Sequence, residues 1–312
     1  MNNDRYFLVQ HLTHFQYSHP VCESVLEIRM QPATTAVQQC HRFDLLLDPP
    51  AIAYGLVDQW GTWVHQFNVL PPHLRLEIQT QALVQLRPAP LLPTQLPMSA
   101  WEEVDRVGKT AVFFDYTHPS HFVQFTPQLH AFAEVHQLHR HSDPLTLLHQ
   151  INNILFTHFH YAPNATRVDS PIDDILSARR GVCQDYSHVM LALCRRVGLP
   201  SRYVSGYLFH QSGEDDISTP SATHAWVETW LPNLGWVGFD PTNHLIVHDR
   251  HIVVGVGRDY QDVAPARGVY TGAASSQLEV AVSVTPAVGP TTKKFPMLAT
   301  GWAMQQQQQS QQ

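Results

Sequence analysis

From Tyr6 to Arg87 the hydrophobic positions recur with a period of two. Leu26, Ile28 and Met30 alternate with Glu27, Arg29 and Gln31, and Trp63, His65, Phe67 and Val69 alternate with Val64, Gln66 and Asn68. The longest run sets Leu74, Leu76, Ile78, Thr80, Ala82, Val84 and Leu86 against Arg75, Glu77, Gln79, Gln81 and Gln85. Side chains of a strand point to opposite faces in turn, so each run buries one face and wets the other. Pro49-Pro50, Gln59-Trp60-Gly61 and Pro71-Pro72 punctuate the runs as turns. The pattern predicts an antiparallel, sandwich-like β domain over residues 1–95, with His11, His14 and His65 as packing or surface residues.

Pro88, Pro90, Pro93 and Pro97 then form a semi-rigid linker, after which the period lengthens. Thr126-Pro127 and Asp143-Pro144 read as an N-cap followed by proline at the first helical position. The second pair opens a helix with Leu147, Leu148, Ile151, Ile154 and Leu155 on one face. Ser170-Pro171 repeats the device before a short helix ending near Gly181. A further helical stripe (Tyr186, Val189, Met190, Leu193, Val197) starts at Cys183 and is closed by Gly198 and Pro200. Alternation returns at Tyr203–Leu208, Thr223–Trp230 and Gly235–Asn243, with more strands at Ile252–Val256 and Leu278–Val284. Helices followed by an antiparallel sheet make an α+β unit over residues 96–290. The tail from Gln305 is almost pure glutamine, and residues 291–312 are predicted to be disordered.

Three residues in this order carry candidate chemistry. Cys183 stands in the first turn of its helix, where unpaired N–H groups and the helix dipole stabilise a thiolate. His224 and Asp240 lie on two strands joined by the turn Leu231-Pro232-Asn233-Leu234-Gly235. If Trp230 faces Trp236, then Trp226 faces Asp240 and His224 is the diagonal neighbour of Asp240. A register shifted by two sets His224 directly opposite. Either way both side chains share one face of the sheet. A thiol, an imidazole and a carboxylate so arranged form a nucleophile, a base and a group that orients the base. Glu228 shares the His224 face but lies nearer the turn, and it ranks second as the orienting acid. Cys194 comes eleven residues after Cys183, far from the helix start, and reads as core.

The segments GVCQDYSHVMLALCRRVGLPSRYVSGYL and THAWVETWLPNLGWVGFDPTN resemble the bacterial branch of the transglutaminase-like, papain-related superfamily. The first ninety or so residues are similar to the β-rich N-terminal domain common in that branch. The resemblance implies Cys183 as catalytic cysteine, His224 as catalytic histidine and Asp240 as catalytic aspartate. It implies thiol-dependent acyl transfer at an amide through a Cys183 thioester, with hydrolysis of a peptide or isopeptide-like bond first. Transfer of a glutamine acyl group to an amine and a catalytically silent binding module are the alternatives. The backbone N–H of Cys183 is a natural oxyanion donor. Papain-like members add a glutamine side chain and animal transglutaminases an upstream tryptophan. No tryptophan occurs between Trp101 and Trp226, Gln184 is expected to point off the cleft side, and Tyr161 or His160 is left for that place.

Composition narrows the remaining classes. The 312 residues suffice for two domains, and 44 % apolar against 14 % charged residues fits a globular chain. A net charge of −7 gives no basis for nucleic-acid or anionic-membrane binding. The sequence has no apolar run of about eighteen residues, so no membrane span is expected. Residues Met1 to Arg5 lack the features of a secretory signal. Four cysteines (Cys22, Cys40, Cys183, Cys194) make no disulfide framework, so a reducing, cytoplasmic setting is expected. No CxxC pair accompanies Cys183 as a redox partner. The 21 histidines raise the question of a metal site. The densest group, His136, His139 and His141 with His158 and His160, has no zinc-ligand spacing and reads as surface. No calcium-binding pattern is visible either, so no metal or cofactor is expected. The expected partner is a peptide or protein substrate, with the β domain as a candidate recognition module. The loop His210 to Ala222 is a candidate border of the substrate cleft.

Overall fold

The computed structural model describes residues 4–290 apart from Asn164, Ser212, Glu214 and Asp215; the glutamine-rich tail lies outside the described residues. Five strands come first: β1 (Arg5–Ile28), β2 (Gln38–Asp48), β3 (Ala53–Val57), β4 (Trp63–Val69) and β5 (His73–Leu86). Helices α1 (Ala100–Gly108), α2 (Pro127–Val135) and α3 (Pro144–His158) follow, then the short β6 (His160–Tyr161), α4 (Ile172–Ala178), β7 (Arg180–Gly181) and α5 (Cys183–Arg196). The chain continues through β8 (Ser201–Leu208), β9 (His224–Leu231), β10 (Gly235–Asp240), β11 (Leu245–Ile246), β12 (His251–Gly257), α6 (Tyr260–Val263), β13 (Ala266–Thr271) and β14 (Ser276–Ala287). Among the described residues no helix is long and apolar enough to cross a membrane.

The first sheet system is built on β1, which has 24 residues and two sets of neighbours. Its first half runs between β5 and β14, and its second half between β4 and β13, all antiparallel. The register against β5 shifts between Gln16 and Val21, and the change of partners is complete by Ser24. Pro20 lies in that interval, and a residue without an N–H donor is tolerated where a strand leaves one ladder for another. The two halves fold toward each other over Phe15, Ile28, Phe67, Leu76 and Ile78. This is the sandwich-like all-β region that the alternation predicts. Its membership crosses the expected division of the chain, because β13 and β14, from within residues 96–290, return to pair with β1.

The second unit carries the antiparallel sheet β11-β10-β9-β8-β12, with helices packed against it. Thr126 Oγ1 accepts the Leu129 N–H and Asp143 Oδ1 accepts those of Leu145 and Thr146, so both predicted caps form. Asp143 Oδ1 also accepts the Leu96 N–H at 3.0 Å, which ties the proline-rich linker to the start of α3. Ser170 departs from the predicted pattern: its hydroxyl accepts the Arg167 N–H and α4 begins without a side-chain cap. Helix α1, which the alternation does not predict, buries Trp101 and Val104. A third apolar cluster joins the units, with Phe7, Val84 and Val282 of the β region against Tyr207, Ile252 and Val254.

Candidate active site

Helix α5 packs against β8 and β9, the central strands of the second sheet. Its start depends on one buried carboxylate. Asp185 Oδ2 accepts the Val182 N–H at 2.7 Å and the Thr166 hydroxyl at 2.6 Å. A Cβ on Gly181 would stand only 2.5 Å from that oxygen, so the residue before the turn must be glycine. Burial, opposed by these two hydrogen bonds, pushes the Asp185 carboxyl up to about 6. At the other end Gly198, with φ of 81°, continues the chain beyond the C-cap in the left-handed conformation that favours glycine.

Cys183 is the first residue of α5 and is half-buried. Three tyrosines surround it electrostatically. Burial first, and then a negative charge on Cys183, push the phenols of Tyr161, Tyr203 and Tyr260 up, the last to about 12. Cys194 on the same helix is fully buried, and burial pushes its thiol up to about 12. The two cysteines of one helix therefore occupy opposite environments.

The hairpin of β9 and β10 pairs Trp230 with Trp236 and Val227 with Phe239, the first of the two registers considered. His224 and Asp240 meet across it, with Nε2 and Oδ2 2.7 Å apart and both residues buried. With Nε2 directed at the carboxylate, the other ring nitrogen is left for the thiol, and Cys183 is among the groups that raise the proton affinity of the His224 ring. Burial lowers the proton affinity of His224, but Asp240 and Cys183 outweigh it and push the imidazole up to about 10. Burial acts against Asp240 as well, and its histidine neighbours overcome it, holding the carboxyl far below the usual range. Glu228 is engaged elsewhere, accepting Arg202 Nε at 2.8 Å and Nη2 at 2.6 Å.

Asp240 combines two roles, one on each oxygen. Oδ1 accepts the N–H groups of Thr242 at 3.0 Å and Asn243 at 3.3 Å, the bonds of an Asx turn. Oδ2 faces His224, together with His251 Nε2 at 3.2 Å and Asn243 Nδ2 at 2.9 Å. Sequence reasoning missed His251 and Asn243 as members of the site. Asn243 follows Asp240 by three residues in a proline-containing turn, which was a usable signal. Nothing in the sequence separates His251 from the other histidines.

The loop before His224 is anchored here. Asn243 Oδ1 accepts the N–H groups of Ile217 and Ser218, and the Tyr161 hydroxyl accepts that of Thr219. Gln184 donates to Val168 O at 2.8 Å and is committed away from the thiol. His160 is exposed, whereas Tyr161 is half-buried beside Cys183. His224, Asp240 and His251 also form a potential metal-donor set, with ligand atoms within 4.8 Å of one another. Both Nε2 atoms are directed at the same carboxylate oxygen, however, and a cation there would have to replace those protons. Of the histidine-rich group, His139 pairs with Glu134 at 3.3 Å and His136 packs edge-on against His158.

Two family models match. The transglutaminase-like superfamily core covers residues 131–241, and the bacterial transglutaminase-like N-terminal region covers residues 7–85. An uncharacterised protein of Mycobacterium tuberculosis is 33 % identical over 295 residues, spanning 91 % of this chain and 93 % of that protein. A protein-glutamine gamma-glutamyltransferase of Pseudomonas aeruginosa is 34 % identical over 122 residues, which is 37 % of this chain and 18 % of that enzyme. Among solved structures, one from Cytophaga hutchinsonii described as a "Putative Cysteine Protease" superposes with a TM-score of 0.73 at 20 % identity, covering 94 % of each chain. That likeness extends over both units of the fold.

Proposed function

The chain belongs to the transglutaminase-like superfamily, and on that premise we propose that it is a thiol enzyme acting on amides, with Cys183 as nucleophile, His224 as base and Asp240 as the group that orients His224. The observation that carries this reading is the buried His224–Asp240 pair, 2.7 Å apart, together with the electrostatic influence of Cys183, which raises the proton affinity of His224. A neutral histidine between a thiol and an ionised carboxylate takes the thiol proton and leaves a thiolate beside an imidazolium.

The thiolate attacks the amide carbonyl carbon, and the negative charge moves to the carbonyl oxygen. Helix starts leave N–H groups without intrahelical acceptors, and that of Cys183 would serve as the donor to this oxyanion. Collapse re-forms the carbonyl and breaks the C–N bond, and His224 gives its proton to the departing amine. The acyl group is then a thioester on Cys183. Water attacks it, neutral His224 accepts the water proton, and the product acid leaves as the thiolate returns. We assign hydrolysis of a peptide or isopeptide-like bond first. Amine attack on the same thioester is the second reading, favoured by the similarity over 122 residues to a protein-glutamine gamma-glutamyltransferase.

The test requires no substrate. Alkylation by iodoacetamide is followed against pH and resolved by peptide mass spectrometry, with Cys194 as internal control and His224→Ala alongside. Labelling of Cys183 that stays rapid below about pH 7 and is lost in His224→Ala is the expected result. A Cys183 profile indifferent to His224 overturns the assignment and leaves a binding module on this fold.

A further inference from the structure

The Asp240 carboxylate serves two histidines, and the reaction above uses one of them. His251 opens β12, pairs with Leu208 of β8 and reaches Asp240 Oδ2 through Nε2 at 3.2 Å. Its side chain is 0 % exposed, and the Trp226 ring packs edge-on against it at 5.2 Å. Its second nitrogen, Nδ1, is buried and has no hydrogen-bond partner.

These facts fix the protonation of His251. An ionised carboxylate only accepts hydrogen bonds, so His251 must present a proton on Nε2. A second proton, on Nδ1, would be a buried donor without an acceptor in an already charged cluster, which burial disfavours. His251 is therefore neutral, with its lone pair on Nδ1. Burial holds its proton affinity below the usual histidine range in the same sense.

Resting on the active-site reading above, we propose that His251 is a positioning residue that shares Asp240 with His224 and thereby limits how tightly the carboxylate holds the His224 proton. A carboxylate with a single partner directs its charge at that partner alone. Here the same oxygen also receives His251 and Asn243, and each donor withdraws part of the charge that stabilises the imidazolium. The distinction matters in the second half of the reaction, where His224 must be neutral to accept a proton from water. An imidazole held permanently as imidazolium forms the thiolate but cannot release the thioester. His251 thus moderates the pair as well as supporting it.

The other charged groups around the site remain in any His251 variant. Cys183 faces His224 from α5, Asp240 faces it from β10 and His210 from the end of β8. His248 faces His251 from the preceding turn, and Arg250 forms a buried ion pair with Asp216 at 2.8 Å.

Histidine-selective nitrogen-15 and carbon-13 NMR of the full chain tests this on the wild-type protein first. The expected result is a neutral His251 with its proton on Nε2 from pH 5 to 9 (about four pH units). The opposite tautomer, or titration of His251 within that range, overturns the proposal. His251→Met removes the donor at similar volume, and it should raise the pH at which His224 loses its proton by about one unit. His251→Gln supplies an amide donor at the same reach and should restore the wild-type value. An unshifted His224 in His251→Met, or an equal shift in His251→Gln, also overturns it. If either variant fails to fold, the wild-type tautomer still decides. Failure of the active-site reading is seen separately, as Cys183 labelling that ignores His224→Ala.

Discussion

Asn243 donates its Nδ2–H to Asp240 Oδ2 at 2.9 Å, and with Oδ1 it accepts the N–H groups of Ile217 and Ser218. One side chain thus fixes the Asp240 carboxylate and holds the loop that leads into β9. The loop border and the candidate acid, which lie far apart in the sequence, are mechanically a single feature.

Asn243→Ala removes the donor from Asp240 and leaves two loop N–H groups without their acceptor. Loss of about 1–3 kcal/mol is expected in urea unfolding, together with slower Cys183 labelling at neutral pH. Asn243→Asp should be worse, because it sets a second carboxylate against the first. Equal stability of the two variants would show that the contact to Asp240 Oδ2 is energetically silent.

Gly181→Ala tests the start of the helix that carries Cys183. The added Cβ would meet Asp185 Oδ2 at 2.5 Å and Asp185 Cβ at 2.7 Å, so the carboxylate must leave the Val182 N–H or the turn must open. A loss of about 1–3 kcal/mol is expected, with Cys183 labelling impaired. Because the clash is with one side chain, the double variant Gly181→Ala/Asp185→Ala should cost less than the sum of the single variants. Strict additivity would place the strain elsewhere.

The elements around the site were legible in the sequence because each rests on local rules. The caps at Thr126 and Asp143 follow from side-chain acceptors before proline, and the shared face of His224 and Asp240 follows from the turn between their strands, although the sequence left two registers open. What was not legible depends on distant parts of the chain. The return of β13 and β14 to β1 joins residues more than two hundred positions apart, and no local period encodes a partner. His251 reaches Asp240 only because β12 pairs with β8 and β8 pairs with β9. Ser170 looked like a cap by composition, but its hydroxyl closes a turn on Arg167 instead. Glu228, ranked second in the sequence because it lies nearer the turn, is taken by Arg202 across the sheet, a partner that no local pattern announces.

Asp185 should make stability depend on pH in the direction opposite to a surface carboxylate. Its folded-state value, about 6, lies above the ordinary 3.8. Between these values the folded chain binds more protons than the unfolded chain, so this group's contribution falls as pH rises from about 4 to about 6. Above that range the ionised, buried carboxylate is a net cost on the order of 3 kcal/mol. Asp185→Asn keeps an acceptor for the Val182 N–H and drops the charge. It should unfold at equal or higher urea concentration than wild type at pH 7, and the advantage should shrink toward pH 4. A large loss at pH 7 would mean that the charge-assisted bonds to Val182 and Thr166 outweigh desolvation.

Asp240→Asn addresses the pair at the centre of the site. Without the carboxylate, His224 is a buried imidazole with no counter-charge, and desolvation disfavours its protonated form. The thiolate–imidazolium pair should then be lost, with Cys183 labelling at pH 6 reduced about 10²- to 10⁴-fold and recovering only at alkaline pH. Stability follows the same linkage. The raised proton affinity of His224 contributes stability that is complete below the ordinary 6.5 and lost as pH rises through about 10. The depressed value of Asp240 contributes stability present above 3.8 and lost as acid protonates the carboxylate. At pH 7 both are in force, and breaking the buried pair should cost about 3–5 kcal/mol. By about pH 10 the histidine part has gone from the wild type, so the gap between wild type and Asp240→Asn should narrow. Urea unfolding at the two pH values measures that gap directly. A gap that stays constant would mean that His224 is not protonated in the folded protein, and the thiolate would then have to arise from the helix terminus alone.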